Sequence, residues 1–512
     1  MNKHLASTLT FLTQHKYLLT AFSLAIVIRS IPEALSWPYP LGVDNPNIIP
    51  LIRDNWAFSS GITAFFQRTS LFYVVAAGFN GVLSDPVITI KVLGPLLLGI
   101  LAAVMFLFAR KGLGWSNRKA LLVAILVSTY FVSLRISWDL YRQTFGLIFL
   151  MATLITLKTF KSPRKYYIAG AFVLLTVLSH ELITVIMFFI LGLEAITYLL
   201  KRSRKDFLYV LAVLALPVAL FYFQRYSFTA GTVIVPTVNV ALEPSFGLTI
   251  QVFELFIYSY ALLLPVVLLG LRGLKDSSLR YWAILCVGLP LLTIIAPSMS
   301  LSYWNRWVYL LVYPLLFFAA NGFDKLWNLS FKLKNKLVRY TPKIGAIALF
   351  LCILVLSSFY LTTTPENASP FFSTYNPSIS YIPSSMLQNT ISISDNPSLV
   401  NCLNWLSDNT NPNSSIIVHY SFLDLLKIYA PNRHLIPVGL ETYTLISPHN
   451  ETIFADSMVE AAKQASAGGN NSVYTVWWSS GSGWYGIQSL PMQFKAIHQD
   501  GRIAIYIFDQ NS

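Results

Sequence analysis

Charge is what this chain has least of. Asp, Glu, Lys and Arg make up 11% of 512 residues against 55% hydrophobic residues, and mean hydropathy is +0.59. That balance excludes a water-soluble globular protein. Cysteine is nearly as scarce. Cys286 and Cys352 fall in apolar runs and Cys402 stands alone in polar sequence, so neither a disulfide framework nor a Cys-based metal site follows. No internal repeat and no low-complexity tract is present, which tells against the repeat-built secondary transporters. The net charge of +14 is scattered over short loops and not gathered in one aromatic-studded patch, so nucleic acid is not expected as a partner.

What the chain does have is long apolar runs. A run of roughly 17 to 25 mostly apolar residues crosses a bilayer, and eleven are read near residues 15–33, 87–109, 119–135, 142–159, 166–180, 182–200, 206–223, 251–271, 280–297, 306–322 and 343–361. Basic residues fill every second gap: Arg110, Lys111, Arg118 and Lys119, then Lys158 to Lys165, Lys201 to Lys205, Arg272 to Arg280, and Lys325 to Lys343. With Lys3 and Lys16, these clusters hold 23 of the 36 basic residues. Because Lys and Arg are retained inside during insertion, these loops and the N-terminus are assigned to the cytoplasm of a multi-pass plasma-membrane protein. The first apolar run lacks a small-residue cleavage site and reads as a retained anchor. Residues 71–83 (LFYVVAAGFNGVL) are apolar too, but counting them as a span would put every later basic cluster outside. With Trp56, Phe58, Phe65 and Phe66 before them, they read as an in-plane interfacial element.

After residue 361 the charge balance inverts, to five basic against ten acidic residues. The expected organisation is therefore a transmembrane domain over 1–361, with a first outer loop at 34–86, and a soluble extracytoplasmic α/β domain over 362–512. Helical spacing marks 399–407 and 455–467, alternation marks strands at 416–420 and 473–478, and a hairpin turn is expected at Asp500-Gly501.

Function is sought in the polar groups that this topology sends to the outer side. The first loop carries Asp44 in YPLGVDNP, where a carboxylate between Pro and Gly turns acts as a general base, a metal ligand or a loop cap. Arg135, Asp139 and Arg142 fall in the second outer loop, Glu243 in the fourth, and Tyr303, Trp304 and Arg306 in the fifth. His180-Glu181 follows a span end, where it can bind a metal, donate to a phosphate, pair with Arg, or sit as a buried neutral cap. Position 184 is Thr, so an H-E-x-x-H zinc site is excluded. Arg142 and Arg306 begin spans beside aromatics; both suit bidentate contact with a lipid phosphate, and both can also snorkel to headgroups.

Four segments carry a resemblance: YPLGVDNP, SWDLYRQTFGLIF from Ser137, LSHELIT from Leu178, and WLSDNTNPNSSIIVHY at the start of the outer domain. Together with the order of loop, spans and outer domain, they resemble the GT-C superfamily of polyprenyl-phosphate-dependent glycosyltransferases. The resemblance implies an α-helical polytopic membrane protein of about eleven transmembrane helices with a C-terminal extracytoplasmic α/β domain. It implies transfer, with inversion, of a hexose- or pentose-type sugar from a polyprenyl-phosphate-linked donor to a glycan, lipid or protein acceptor. Asp44 matches the first-loop catalytic Asp and would act as base or help hold a divalent cation, Mg2+ or Mn2+. Arg142, His180 and Arg306 would stabilise the departing phosphate, and Asp139, Glu181, Tyr303 and Trp304 would face acceptor or sugar. Asn45 follows Asp44, so no D-x-D doublet is present. Val418-His419-Tyr420-Ser421 stands where oligosaccharyltransferases carry W-W-D-Y-G, and Trp477-Trp478-Ser479 comes too late and lacks the Asp; monosaccharide transfer is therefore expected over asparagine-directed transfer. The rival classes are a non-catalytic scaffold of the same fold and a multi-pass transporter of lipid-linked saccharide.

Overall fold

The structure, a computed structural model, describes residues 3–59, 61–226, 238–240, 246–296, 299–301, 303–329, 336–362, 389, 391–438, 448–467, 472–480 and 490–509. Glu243 lies outside them. The chain divides into two compact units. Unit one comprises Met1–Ser30, Asn55–Val82 and Val92–Ser358, and unit two comprises Ile31–Asp54, Leu83–Lys91 and Phe359–Ser512.

Among the described residues, six helices are long and apolar enough to cross a membrane: His15–Leu35, Pro86–Gly112, Glu181–Leu200, Arg204–Gln224, Trp304–Asn328 and Thr341–Thr362. Each coincides with an expected run. The other expected runs are helical but not straight spans of that kind. The one at 119–135 becomes Asn117–Thr129 and Phe131–Asp139, bent by 62°, and the one at 251–271 becomes Gly247–Tyr260 and Leu264–Leu271, bent by 84°. The first bend has a visible cause, since Tyr130 leaves the helical region for φ −72°, ψ 125°. Tyr141–Thr159 and Arg164–Ser179 are single helices of 19 and 16 residues, and 280–297 is divided between Ser277–Gly288 and Leu292–Ile295. Leu71–Leu83 forms a helix of 13 residues. At 1.5 Å per residue it is about 20 Å long, short of the ~30 Å hydrocarbon core.

Some helix starts in unit one are fixed by side-chain caps. Ser116 accepts from the Lys119 N–H and Asp276 from the Leu279 N–H, each satisfying a first-turn donor that the helix leaves unpaired. Two glycines set the closest helix crossing. A Cβ on Gly270 would lie 1.8 Å from the Phe318 carbonyl oxygen, and one on Gly322 would lie 1.8 Å from that of Val266. No side chain fits at either position, so Leu264–Leu271 and Val312–Asn328 pack backbone to backbone. A short antiparallel pair, β1 (Val238–Val240) and β2 (Met299–Leu301), completes the regular elements of unit one.

Unit two is an α/β fold. Its sheet comprises β3 (Ser415–His419), β4 (His434–Val438), β5 (Val473–Trp478), β6 (Phe494–Asp500) and β7 (Ile503–Phe508), in the order β4-β3-β5-β7-β6. The β4, β3 and β5 pairings are parallel, and β7 runs antiparallel to β5 and β6. Gly501 makes the β6–β7 turn at φ +51°, a conformation glycine adopts without steric cost. Every residue of β3 and β5 is buried, as expected for central strands covered on both faces. Helices Asn396–Asn409 and Tyr420–Tyr429 supply Leu399, Leu403, Phe422 and Leu426 to the core. Val43 belongs to that same core, so the residue just before Asp44 is a core residue of unit two.

Candidate functional site

The site in unit one is built where Phe131–Asp139 ends and Tyr141–Thr159 begins. The intervening Leu140 adopts φ −88°, ψ 52°, which turns the chain sharply. The expected outer loop is therefore two helices meeting at one residue, and all nine residues of Phe131–Asp139 are buried. Arg29 holds the turn. Its Nε donates to the Ser137 carbonyl at 3.3 Å and its Nη2 to the Trp138 carbonyl at 2.9 Å, with the guanidinium 4.9 Å over the Trp138 ring. A cation at these last carbonyls meets the negative end of the helix.

That turn starts the next helix at Tyr141 and puts Arg142 in its first turn. Arg142 Nη2 donates to Glu181 Oε2 at 2.9 Å and to the Thr69 hydroxyl, while Thr69 Oγ1 donates to the same carboxylate oxygen at 3.4 Å. The Glu181 side chain is fully buried and that of Arg142 is 21% exposed. A buried carboxylate thus orients a guanidinium that keeps one accessible side. One turn along, a Cβ on Gly146 would come within 3.3 Å of His180 Cβ, so this glycine brings Tyr141–Thr159 against His180.

His180 is extended (φ −161°, ψ 130°) between Arg164–Ser179 and Glu181–Leu200. Its Nδ1 accepts the Leu182 N–H at 3.2 Å, capping the second of these helices. An Nδ1 that accepts leaves the proton of the neutral ring on Nε2, which is then a donor; the tautomer is assigned from the hydrogen bond. The charges of Glu181, Arg142 and Arg306 all bear on the imidazole. Of the eight expected site residues, Arg142 and Glu181 are in direct contact, His180 adjoins Glu181 in the chain, and the charge of Arg306 bears on the imidazole.

The other four do not join them in the same way. Asp139 is 1% exposed and forms a buried ion pair with Arg135 one turn earlier. Tyr303 is 48% exposed, in the left-handed region at φ 56°, ψ 33°. It caps Trp304–Leu310, and its carbonyl accepts the Arg306 N–H at 2.9 Å; a non-glycine residue held there is strained. Trp304, partly buried, opens that helix. Asp44 belongs to unit two. It caps Asn45–Arg53, and its carbonyl accepts the Asn47 and Ile48 N–H groups at 3.2 and 3.1 Å. The Gly42 N–H donates to Asn389 Oδ1 at 2.7 Å, and Gly42 itself needs φ +105°. No group of three or more His, Cys, Asp or Glu residues that could hold a metal exists among the described residues.

Further polar residues extend the surroundings of Arg142. Ser70 Oγ, both amide atoms of Gln143, Gln224 Oε1, Arg68 Nη1 and Arg142 Nε are buried without a hydrogen-bond partner among the described residues. They are linked: Ser70 and Arg68 flank Thr69, Gln143 follows Arg142, and Gln224 Nε2 donates to the Arg68 carbonyl at 3.4 Å. Buried polar atoms are almost always satisfied, and a cluster of exceptions suits a polar ligand or ordered water. The sequence signals were the place of Gln143 inside SWDLYRQTFGLIF and the charge of Arg68 in the first outer loop.

No family model and no curated relative matches the chain. Solved structures do. The oligosaccharyltransferase of Archaeoglobus fulgidus, solved with Zn and sulfate, matches at TM-score 0.51 and 14% identity over 90% of this chain and 67% of that one. ArnT from Cupriavidus metallidurans in the apo state matches at TM-score 0.53 and 12% identity over 97% of this chain and 98% of that one. The arabinofuranosyltransferase AftD from Mycobacteria matches at 0.52 and 13% over 97% of this chain but only 40% of that one. At identities of 12–14% the likeness is one of fold. The chain has a GT-C-like fold: a polytopic helical membrane protein with a C-terminal α/β domain.

Proposed function

We propose that the protein is a membrane glycosyltransferase that takes a sugar from a polyprenyl-phosphate-linked donor and passes it, with inversion, to a hydroxyl of a glycan, lipid or protein acceptor on the outer face of the membrane. The observation that carries this reading is the ion pair of Arg142 with the buried Glu181 next to His180, whose imidazole also feels the charge of Arg306, in a GT-C-like fold. Two guanidiniums and an imidazole N–H offer fixed positive charge and donors to one anion. Glu181 orients Arg142. Such a set suits a phosphate whose negative charge grows as its bond to the anomeric carbon breaks.

In the reaction the acceptor oxygen forms its bond to the anomeric carbon from the side opposite the phosphate. The C–O bond to phosphate breaks, the phosphate keeps the electron pair, and the acceptor proton passes to a base. Asp44 is assigned as that base on its chemistry and on the match of its loop to the catalytic Asp of the resembled family. The unpartnered amide of Gln143 and hydroxyl of Ser70 are assigned to the ligand's own hydroxyls or phosphate oxygens. Their burial makes an unmatched ligand costly, which is how such groups discriminate.

The test is sugar transfer from a radiolabelled polyprenyl-phosphate donor in proteoliposomes. Wild-type turnover with loss of at least ~100-fold in Asp44→Asn, a typical cost of removing a general base, supports the reading. Unchanged turnover in Asp44→Asn removes the base assignment, and no transfer by the wild type favours a scaffold or a transporter.

A further inference from the structure

A second cavity in unit one, of about 590 Å³, lies among the start of Asn117–Thr129, the end of Val312–Asn328 and the middle of Lys336–Thr362. The catalytic proposal uses none of its residues. Its wall is apolar, built from Leu122, Ile125, Phe323, Ile347, Phe350 and Leu351. Ile347 and Leu351 are 48% and 53% exposed and stand one helical turn apart, so the cavity opens sideways along a membrane-spanning helix. Its mouth is basic. Lys119 is matched there by Asp324 at 3.0 Å and lies 4.4 Å over Trp115, so that pair is neutral. Arg118 also lines the mouth, is exposed and forms no ion pair among the described residues. Lys343 adds a further cation 5.5 Å over the half-exposed ring of Trp327, an aromatic placed where headgroups meet acyl chains.

We infer that this cavity holds one anionic phospholipid, its phosphate at Arg118 and Lys343 and an acyl chain along the Phe323–Phe350 wall. The argument is charge complementarity joined to shape. A soluble anion has no use for six apolar side chains, and a zwitterionic lipid, neutral overall, leaves the charge of Arg118 uncompensated. The lipid belongs to the leaflet on the side of the basic loops. The inference stands independently of the transfer reaction.

The full chain in nanodiscs containing equal amounts of phosphatidylglycerol and phosphatidylcholine, each in turn carrying a photoreactive acyl chain, tests it. Phosphatidylglycerol is expected to label peptides that include Phe323 or Phe350 in preference to phosphatidylcholine. Arg118→Gln is expected to cut that labelling about fivefold, the effect of one basic residue at a membrane surface, and leave phosphatidylcholine labelling unchanged. Ala346→Phe, which fills the cavity from its buried wall, is expected to abolish labelling while Arg118 is intact. Equal labelling by the two lipids, labels confined to other helices, or an Arg118→Gln variant indistinguishable from wild type would each overturn the assignment.

Discussion

His180 in unit one and His419 in unit two make the same local contact. Each caps a helix through Nδ1, which accepts the N–H two residues ahead at 3.2 Å. Their surroundings differ. The His180 imidazole feels the charges of Glu181, Arg142 and Arg306, whereas His419 is 1% exposed, lies edge-on to Trp477 at 5.3 Å and meets the Ser421 hydroxyl at 2.8 Å. Burial alone drives the His419 imidazole down to about 3, so it is neutral at any physiological pH. One cap is placed among charges and suits an anionic ligand; the other is a packing element. The local motif is identical, and the charges around it decide what it can do.

Removing the charges should have the largest effect. Arg142→Gln is expected to lower transfer roughly 100- to 1000-fold, the typical cost of losing one donor to a developing anion. Arg142→Lys should recover little of that, because an ammonium cannot reproduce the guanidinium fork held by Glu181 and Thr69. Steady-state rates with a labelled donor decide it, and near-full activity in the lysine variant would show that charge without geometry suffices.

The caps themselves come next. Asn caps helices well, so His180→Asn keeps the helix start but loses the Nε2 donor. It should slow transfer roughly tenfold or more, with thermal stability within about 1 kcal/mol of wild type. His419→Asn should do the reverse, leaving transfer intact and costing ~1–3 kcal/mol as the packing against Trp477 is lost. Swapped outcomes would dissolve the distinction between the two histidines.

A pH series sharpens the same contrast. The unfolded chain protonates His419 near 6.5 and the folded chain only near 3, so between those values the unfolded state binds the extra proton. The contribution to stability is complete above about pH 6.5 and is lost as pH falls toward 3, with a slope of at most ~1.4 kcal/mol per unit. Hydrogen exchange of the Ser415–His419 and Val473–Trp478 peptides, corrected for intrinsic rates, should report it. The His419→Asn variant should lack that component of the slope, and an unchanged profile would show that other groups cause it. Smallest of all should be Arg502→Gln. Its partner Asp395 is buried and also accepts from Trp478 Nε1 at 3.3 Å, while Arg502 is 33% exposed. A loss of about 1 kcal/mol in the unfolding of unit two is expected, with no change in transfer.

How much of this could be read from residues alone depends on sequence distance. Six spans were legible because hydropathy is a local property, as were β5 and the turn at Gly501. His180-Glu181 and Arg142 were legible as span-end charges. What brings them together was not: Thr69 reaches Arg142 across 73 residues and Glu181 across 112, and no local pattern encodes such pairs. Arg29 read as one more residue of an apolar run, although it fixes the turn that presents Arg142. Val43 read as a loop residue, although it is buried in the core of unit two. Strand β4 escaped notice because Pro437 lies within it; proline is tolerated on an edge strand but removes the propensity signal. The bend at Tyr130 carries no Gly or Pro of its own, so nothing in the composition announced it.

The most direct measurement is the affinity of the full chain for polyprenyl phosphate without its sugar, beside the corresponding polyprenol, for wild type, Arg142→Gln and Arg306→Gln. Each variant should bind the phosphate at least tenfold more weakly, as expected for loss of one charge-assisted contact, and bind the polyprenol as wild type does. Equal phosphate affinity in all three proteins would mean that these arginines do not hold the donor, and the assignment of the site would be wrong.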